Sequence, residues 1–166
     1  MSTVERSLER FTDGDLERLA ELAAHDRAER FRRKPRWSVY ADRVICVALC
    51  QGGALHYVDG ANGIKDIDVW TLYAEHPEGP FPARWLTNAD FGPSRFGRHP
   101  EDKKAFRGRR VDLLARSLHE SVDVNPIDAV QRYLRGGATA SARALAAKAV
   151  VLLEPEGVRG VTAWPE

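Results

Sequence analysis

The sequence predicts an α/β fold, a small mixed β-sheet with flanking helices. Apolar runs of strand length occur at 43–50, 66–74 and 109–115, and segments with helical periodicity lie on either side at 12–33, 126–134 and 140–149. A chain of 166 residues suits one hydrophobic core. We therefore expect a single domain over 1–166, with a core at about 36–118, an N-terminal helix at 12–33 and a helical C-terminal region at 126–166. With 43% hydrophobic and 30% charged residues, the chain can fill an ordinary core, and its composition is not that of a disordered protein.

Twenty-five Lys and Arg stand against 24 Asp and Glu, a formal net charge of +1, so no global field draws the chain to nucleic acid or anionic lipid. Any polyanion must find a local patch. The longest apolar run, 44–49, is far shorter than the ~20 residues that span a bilayer, and the charged N-terminus lacks the apolar region of a signal peptide. The expected compartment is the cytoplasm, with no membrane partner.

The first helix should begin at Thr12, whose hydroxyl suits the N-cap, with Asp15 at the third helical position and Phe11 stapling onto Leu16. Leu16, Leu19, Ala20, Ala23 and Phe31 recur at helical spacing, and Pro35 stops the helix. The basic stretch 32–34 suits either a solvated helix end or a phosphate contact. The β-branched run 43–50 reads as the buried centre of a sheet. Cys46 and Cys50 would lie ~13 Å apart along it, beyond disulfide reach, and are expected to be buried thiols.

Gly52 and Gly53 end that strand, 54–58 suits a short helix, 59–65 holds turn formers, and 66–74 is the second strand. The segment 75–108, rich in Pro, Gly, Arg and aromatics, reads as a functional loop or the cover of a small element, with a helical turn or two at 100–106. The third strand follows at 109–115. Pro126 opens a helix that Gly136 and Gly137 follow, a last helix covers 140–149, and 150–155 and 159–164 suit short strands without requiring them.

The chemistry concentrates in the second and third strands. Strand alternation sends Asp66 and Asp68 to one face, roughly 7 Å apart, while Ile67 and Val69 anchor the other. Asp112 repeats this pattern between Val111 and Leu113. If the strands are neighbours, the three carboxylates can share divalent cations, Mg²⁺ or Mn²⁺, since hard oxygens suit those ions and two of them promote in-line phosphoryl transfer. His25, His56, His76, His99 and His119 are scattered and form no zinc spacing with the cysteines, which again points to carboxylate ligands. Gly52 and Gly53 expose backbone N–H groups to which a triphosphate can come close.

In these residues the chain resembles the DNA polymerase β-like nucleotidyltransferases. The family pattern is Gly-Gly or Gly-Ser after an apolar residue, a spacer, an Asp-x-Asp strand and a later acid on a neighbouring strand. Here it falls on Gly52 and Gly53, twelve intervening residues, Asp66, Asp68 and Asp112, and it covers about 43–114. The resemblance implies that Asp66, Asp68 and Asp112 are catalytic and bind metal, with Asp112 nearest the acceptor hydroxyl. It implies that Gly52 and Gly53 cradle a nucleoside triphosphate. Many members carry Ser at the second glycine, where this chain has Gly53. The implied reaction moves a nucleoside monophosphate to an acceptor hydroxyl on a small molecule, an RNA end or a protein side chain. The alternative is a non-catalytic nucleotide-binding protein, or the partner of a toxin, on the same fold.

Arg110 shares strand parity with Asp112, so it suits either nucleotide phosphate or an ion pair with the acids. Lys65 should face the other way. Lys103, Lys104, Arg107 and Arg109 form a basic cluster, and Arg95 and Arg98 alternate with Phe91 and Phe96, a pattern that suits either a solvated loop or a nucleobase and phosphate. Trp70 is expected in the core, and Asp90-Phe91-Gly92 in a turn. We expect the helices to pack mainly on one face of the sheet, with the metal site on the opposite face or at its edge.

Overall fold

A computed structural model describes residues 6–82, 86–99 and 101–166 of the chain. Helix α1 (Asp13–Arg33) starts where the capping signals place it: the Thr12 hydroxyl accepts from the Asp15 N–H and the Asp15 carboxylate accepts from the Thr12 N–H. This reciprocal cap satisfies two N–H groups that the first turn would otherwise leave bare. A 3₁₀ turn, Pro35–Tyr40, leads into β1 (Val44–Cys50), and α2 (Gln51–Asp59) follows without a break. Strands β2 (Ile67–Ala74), β3 (Leu86–Asp90) and β4 (Arg110–Leu118) come next. After them lie α3 (Pro126–Gly136), α4 (Ala140–Ala146), β5 (Val150–Glu154) and β6 (Thr162–Trp164).

The six strands form one mixed sheet in the order β3-β4-β2-β1-β5-β6. β2 is antiparallel to β1 and parallel to β4, whose register runs from Ile67 opposite Val111 to Ala74 opposite Leu118. Alternation gives the sheet two apolar faces. Leu16, Leu19 and Ala23 of α1 and Ala54 of α2 pack against Val47, Leu49, Val69 and Leu113 on one face. Ala129, Val130 and Leu134 of α3 and Leu145 of α4 cover Ala48, Trp70, Leu72 and Leu152 on the other. Each fully buried Leu or Val contributes about 1.5–3 kcal/mol of transfer free energy, so burial on both faces holds the sheet.

The expectation of helices mainly on one face is therefore corrected: α1 and α2 lie on one side, α3 and α4 on the other. The central strands are apolar on both faces, and a sheet of that kind must be covered twice. The C-terminal region is also less helical than expected, because α4 stops at Ala146 and β5 and β6 extend the sheet beyond β1. Segment 75–108 conceals β3, which pairs with β4. Residues 101–106 form turns and bends rather than a helix, and Pro100 lies outside the described residues. Asp90 ends β3 and its carboxylate accepts from the N–H groups of Gly92, Arg107 and Gly108, tying together the ends of an excursion of seventeen residues. Gly108 permits that closure, since a Cβ there would lie 1.7 Å from the Gly92 carbonyl oxygen.

Cys46 and Cys50 are free and buried, and burial pushes the Cys46 thiol up to about 12 and raises that of Cys50 as well. Both are therefore unreactive thiols at neutral pH. No helix among the described residues is long and apolar enough to cross a membrane.

Candidate functional site

The predicted acids meet at one end of the sheet, where β1 finishes and β2, β4 and β5 begin. Asp68 and Asp112 are register partners across the parallel β2 and β4 pair, with side chains on the face that α3 and α4 cover farther along the strands. Asp66 stands just ahead of β2, whose first residue is Ile67, so it belongs to the approaching turn rather than to the strand expected there. Cys50, the last residue of β1, pairs with Asp68 on its other side. The apolar neighbours Ile67, Val69, Val111 and Leu113 are all buried on the opposite face, so strand alternation forces the acids out of that core.

Arg110 links the acids. Its Nη2 donates to Asp66 Oδ2 at 2.7 Å, and its Nε lies 3.1 Å from Asp112 Oδ1. Of the two alternatives for Arg110, phosphate ligand or ion-pair partner, the structure contains the second. Burial opposes its charge, but Asp112 and Asp66 outweigh that and hold the guanidinium above its usual range. Among the described residues Asp68 has no such direct cationic partner. Its pKa is raised to about 7, first by burial and then by the negative charges of Asp66 and Asp112. Asp112 is raised as well, again chiefly by burial, with Arg110 opposing the rise. The hydrogen bond between the two carboxyls favours the proton on Asp68 and the charge on Asp112. Within this pair the proton therefore sits more readily on Asp68 than on Asp112.

The glycine pair is the first turn of α2 rather than a loop ahead of it. The chain turns sharply because Gln51 adopts a left-handed conformation with φ 56°, rare for a residue with a Cβ and unfavourable by about 1–2 kcal/mol. No side chain among the described residues caps α2, so its first N–H groups are not met by a cap there. The two glycines differ in role. A Cβ at Gly53 would sit 3.1 Å from Leu49 Cδ1 and 3.8 Å from the Phe11 ring, so this glycine lets the helix seat on β1. Serine, found at this position in many proteins of the resembled family, would crowd the same contact. Gly52 looks the other way, with Asn62 Nδ2 and Lys148 Nζ within 3.8 and 3.9 Å of where its Cβ would be. Lys148 stands just ahead of β5 and escaped the sequence reading, because only the sheet order brings β5 beside β1.

The loop before β4 supplies a wall. Asp102 Oδ2 accepts from the N–H groups of His99 and Arg110, both at 3.2 Å, and fastens His99 and Asp102 to the start of β4. A small cleft opens there between Lys65, Asp66, His99, Glu101, Asp102 and Arg110. Buried His99 accepts from the Glu101 N–H at Nδ1, which assigns the ring proton to Nε2. Among the described residues that Nε2 has no hydrogen-bond partner, and the Glu101 carboxylate lies 3.9 Å from it. No motif in the sequence marks His99, since its position depends on the loop closing through Asp90 and Asp102.

As they stand, no three His, Cys, Asp or Glu side chains among the described residues are gathered tightly enough to hold a metal ion. The physical reason is Arg110, whose guanidinium occupies the ground between Asp66 and Asp112. The donor chemistry nonetheless fits a hard divalent cation: three carboxylates share one sheet end, and two of them already hold a cation. No protein-family model matches the chain, and neither does any curated protein or solved structure. The functional argument therefore stands on these residues.

Proposed function

We propose that this protein is a metal-dependent nucleotidyltransferase of the polymerase β-like kind, moving a nucleoside monophosphate from a nucleoside triphosphate to an acceptor hydroxyl. The observation that carries this reading is the pairing of Asp68 with Asp112 in register on adjacent strands, with Asp66 joined to Asp112 through Arg110. An exposed polar strand face would not explain why Asp68 is withdrawn from solvent beside the carboxylate of Asp112, an arrangement that raises its pKa.

In this reading Asp66, Asp68 and Asp112 hold Mg²⁺ or Mn²⁺, and Asp68 gives up its proton when they do. The bound ions would neutralise the triphosphate and ease in-line displacement at the α-phosphorus. The uncapped N–H groups of Gly52 and Gly53 donate to phosphate oxygens, assisted by Lys148. Arg110 leaves the acids and turns to the departing pyrophosphate. Asp112 takes the proton of the acceptor hydroxyl as its oxygen bonds to the α-phosphorus and the bond to the β-phosphate breaks. Such a protein would work in the cytoplasm, where triphosphate and Mg²⁺ are supplied.

The Arg110 bridge also favours a second reading, a nucleotide-binding or toxin-partner protein in which Arg110 permanently replaces the metal. Calorimetry with Mn²⁺ and a non-hydrolysable triphosphate separates the two. The transferase reading expects triphosphate binding that requires Mn²⁺ and is lost in Asp68→Asn. Binding that ignores both Mn²⁺ and the substitution would overturn it.

A further inference from the structure

The row of residues at the acid end of the sheet continues past Asp112. Cys50, Asp68, Asp112 and Asn88 are successive register partners on β1, β2, β4 and β3. Directly opposed residues of an antiparallel pair point to one face, with Cβ atoms roughly 5 Å apart, so the Asn88 amide stands beside the Asp112 carboxyl. Its strand neighbours fix this parity. Thr87 Oγ1 accepts from Arg30 of α1, and Ala89 packs against the core that α1 covers, both on the other face.

Of the β3 side chains on the acid face, Asn88 alone is polar and uncommitted. The Asp90 carboxylate is occupied by the N–H groups of Gly92, Arg107 and Gly108, and Leu86 is apolar. The Asn88 amide is half-buried and forms no hydrogen bond among the described residues. Asparagine is disfavoured in strands, and a half-buried amide adds little to a core, so packing gives no reason for it here.

The two ends of the row differ in charge. On the β1 side, Lys148 and the uncapped start of α2 suit a polyanionic triphosphate. At the other end β3 contains no cation and forms the edge of the sheet. A triphosphate lying on the first side brings its α-phosphorus to the acids, which leaves the β3 side to a neutral hydroxyl.

We propose that the acceptor hydroxyl enters over β3 and that the Asn88 amide holds it against Asp112. The inference rests on the transferase reading. The hydroxyl donates to the Asp112 carboxylate and accepts from the Asn88 Nδ2–H, so its remaining lone pair is aimed at the α-phosphorus. As the new O–P bond forms, the proton passes to Asp112, and the electron pair of the breaking bond leaves with pyrophosphate. An amide suits this place because it is uncharged: it adds nothing to the negative charge of the three acids and cannot pair with them as Arg110 does.

The test is transfer of label from an α-phosphate-labelled triphosphate with Mn²⁺, offering a short RNA with a free 3′ hydroxyl, glycerol and a serine-containing peptide as acceptors. The unmodified protein is compared with Asn88→Leu, which keeps the volume and removes the hydrogen bond, and with Asn88→Gln, which keeps the amide. For whichever acceptor takes label, kcat/KM should fall about tenfold in Asn88→Leu and stay within about threefold in Asn88→Gln. Mn²⁺-dependent triphosphate affinity, measured by calorimetry, and the thermal midpoint should be unchanged in both. Unchanged transfer in Asn88→Leu, an equal loss in Asn88→Gln, or a parallel loss of triphosphate affinity would overturn the role of Asn88 while the transferase reading stands. No label on any acceptor from the unmodified protein overturns both.

Discussion

Asp68 lies directly opposite Asp112 across the parallel strands β2 and β4, two carboxyls in register with one proton favoured on Asp68. Both are held on the sheet face opposite Ile67 and Val111, which are fully buried, so neither can turn away without unseating its strand. Arg110 balances this arrangement by pairing with Asp112 and Asp66. A divalent ion that needs the same oxygens must displace it.

Replacing Arg110 should therefore separate two affinities. Arg110→Gln removes the competing cation, and Mn²⁺ alone should bind about five- to tenfold more tightly, the range of a partly buried ion pair of about 1 kcal/mol or slightly more. Triphosphate affinity at saturating Mn²⁺ should fall, because the guanidinium is no longer there to meet phosphate. Paramagnetic resonance of free Mn²⁺ measures the first and calorimetry the second. If both affinities drop together, Arg110 does not compete with the ion.

The raised pKa of Asp68 fixes the sign of a pH effect. Between its unfolded value near 4 and its folded value of about 7 the native state binds more protons than the unfolded chain, so this group's contribution to stability falls as pH rises through that window. The penalty is absent below about pH 4 and complete above about pH 7, on the order of 2–4 kcal/mol. Asp68→Asn should be nearly neutral at pH 4 and stabilising at pH 8 in urea titrations. Mn²⁺ affinity of the unmodified protein should rise about tenfold per pH unit up to about pH 7 and then level off, as the ion ceases to compete with a proton. A stability profile that Asp68→Asn leaves unaltered at pH 8 would mean that Asp68 is not the group that titrates.

The two glycines should respond oppositely to the same methyl group. Gly53→Ala pushes a Cβ to 3.1 Å from Leu49, a fully buried residue of β1, and should destabilise by about 1–3 kcal/mol. Gly52→Ala meets only ordinary contacts at 3.8 and 3.9 Å and should keep the thermal midpoint within about 1 °C, less than the roughly 2–4 °C that 1 kcal/mol brings at this size. Differential scanning calorimetry of the two variants makes the comparison, and equal midpoints would mean that α2 does not seat on β1 as described.

Much of this was legible in the sequence where local rules decide the outcome. Thr12 and Asp15 announce the start of α1, and the β-branched run containing Val44 and Ile45 reads as a buried strand. Asp68 and Asp112 were readable because each sits alone among apolar residues on a period of two. Tertiary relationships were not. Gln51 takes a left-handed conformation that nothing in its type foretells, and so starts α2 three residues earlier than its composition suggests. Lys148 comes near Gly52 only because β5 inserts beside β1, and His99 lines the same cleft as Asp66 only because Asp90 and Asp102 fold the loop back. Coverage of both sheet faces followed from the apolar character of β1 and β2, a signal present in the sequence and underweighted in the expectation of one covered face.

The most direct test is the fate of label from a triphosphate incubated with the protein, Mg²⁺ or Mn²⁺ and a single-stranded RNA acceptor or a pool of small-molecule and protein acceptors. Label at the α-phosphate should pass to an acceptor with release of unlabelled pyrophosphate, while label at the γ-phosphate should leave only in pyrophosphate. Asp112→Asn should reduce the rate by about 100-fold or more, in keeping with the loss of a general base, with little change in triphosphate affinity. Transfer of the γ-label to the acceptor, or no transfer of either label from a protein that still binds Mn²⁺ and triphosphate, would contradict the account.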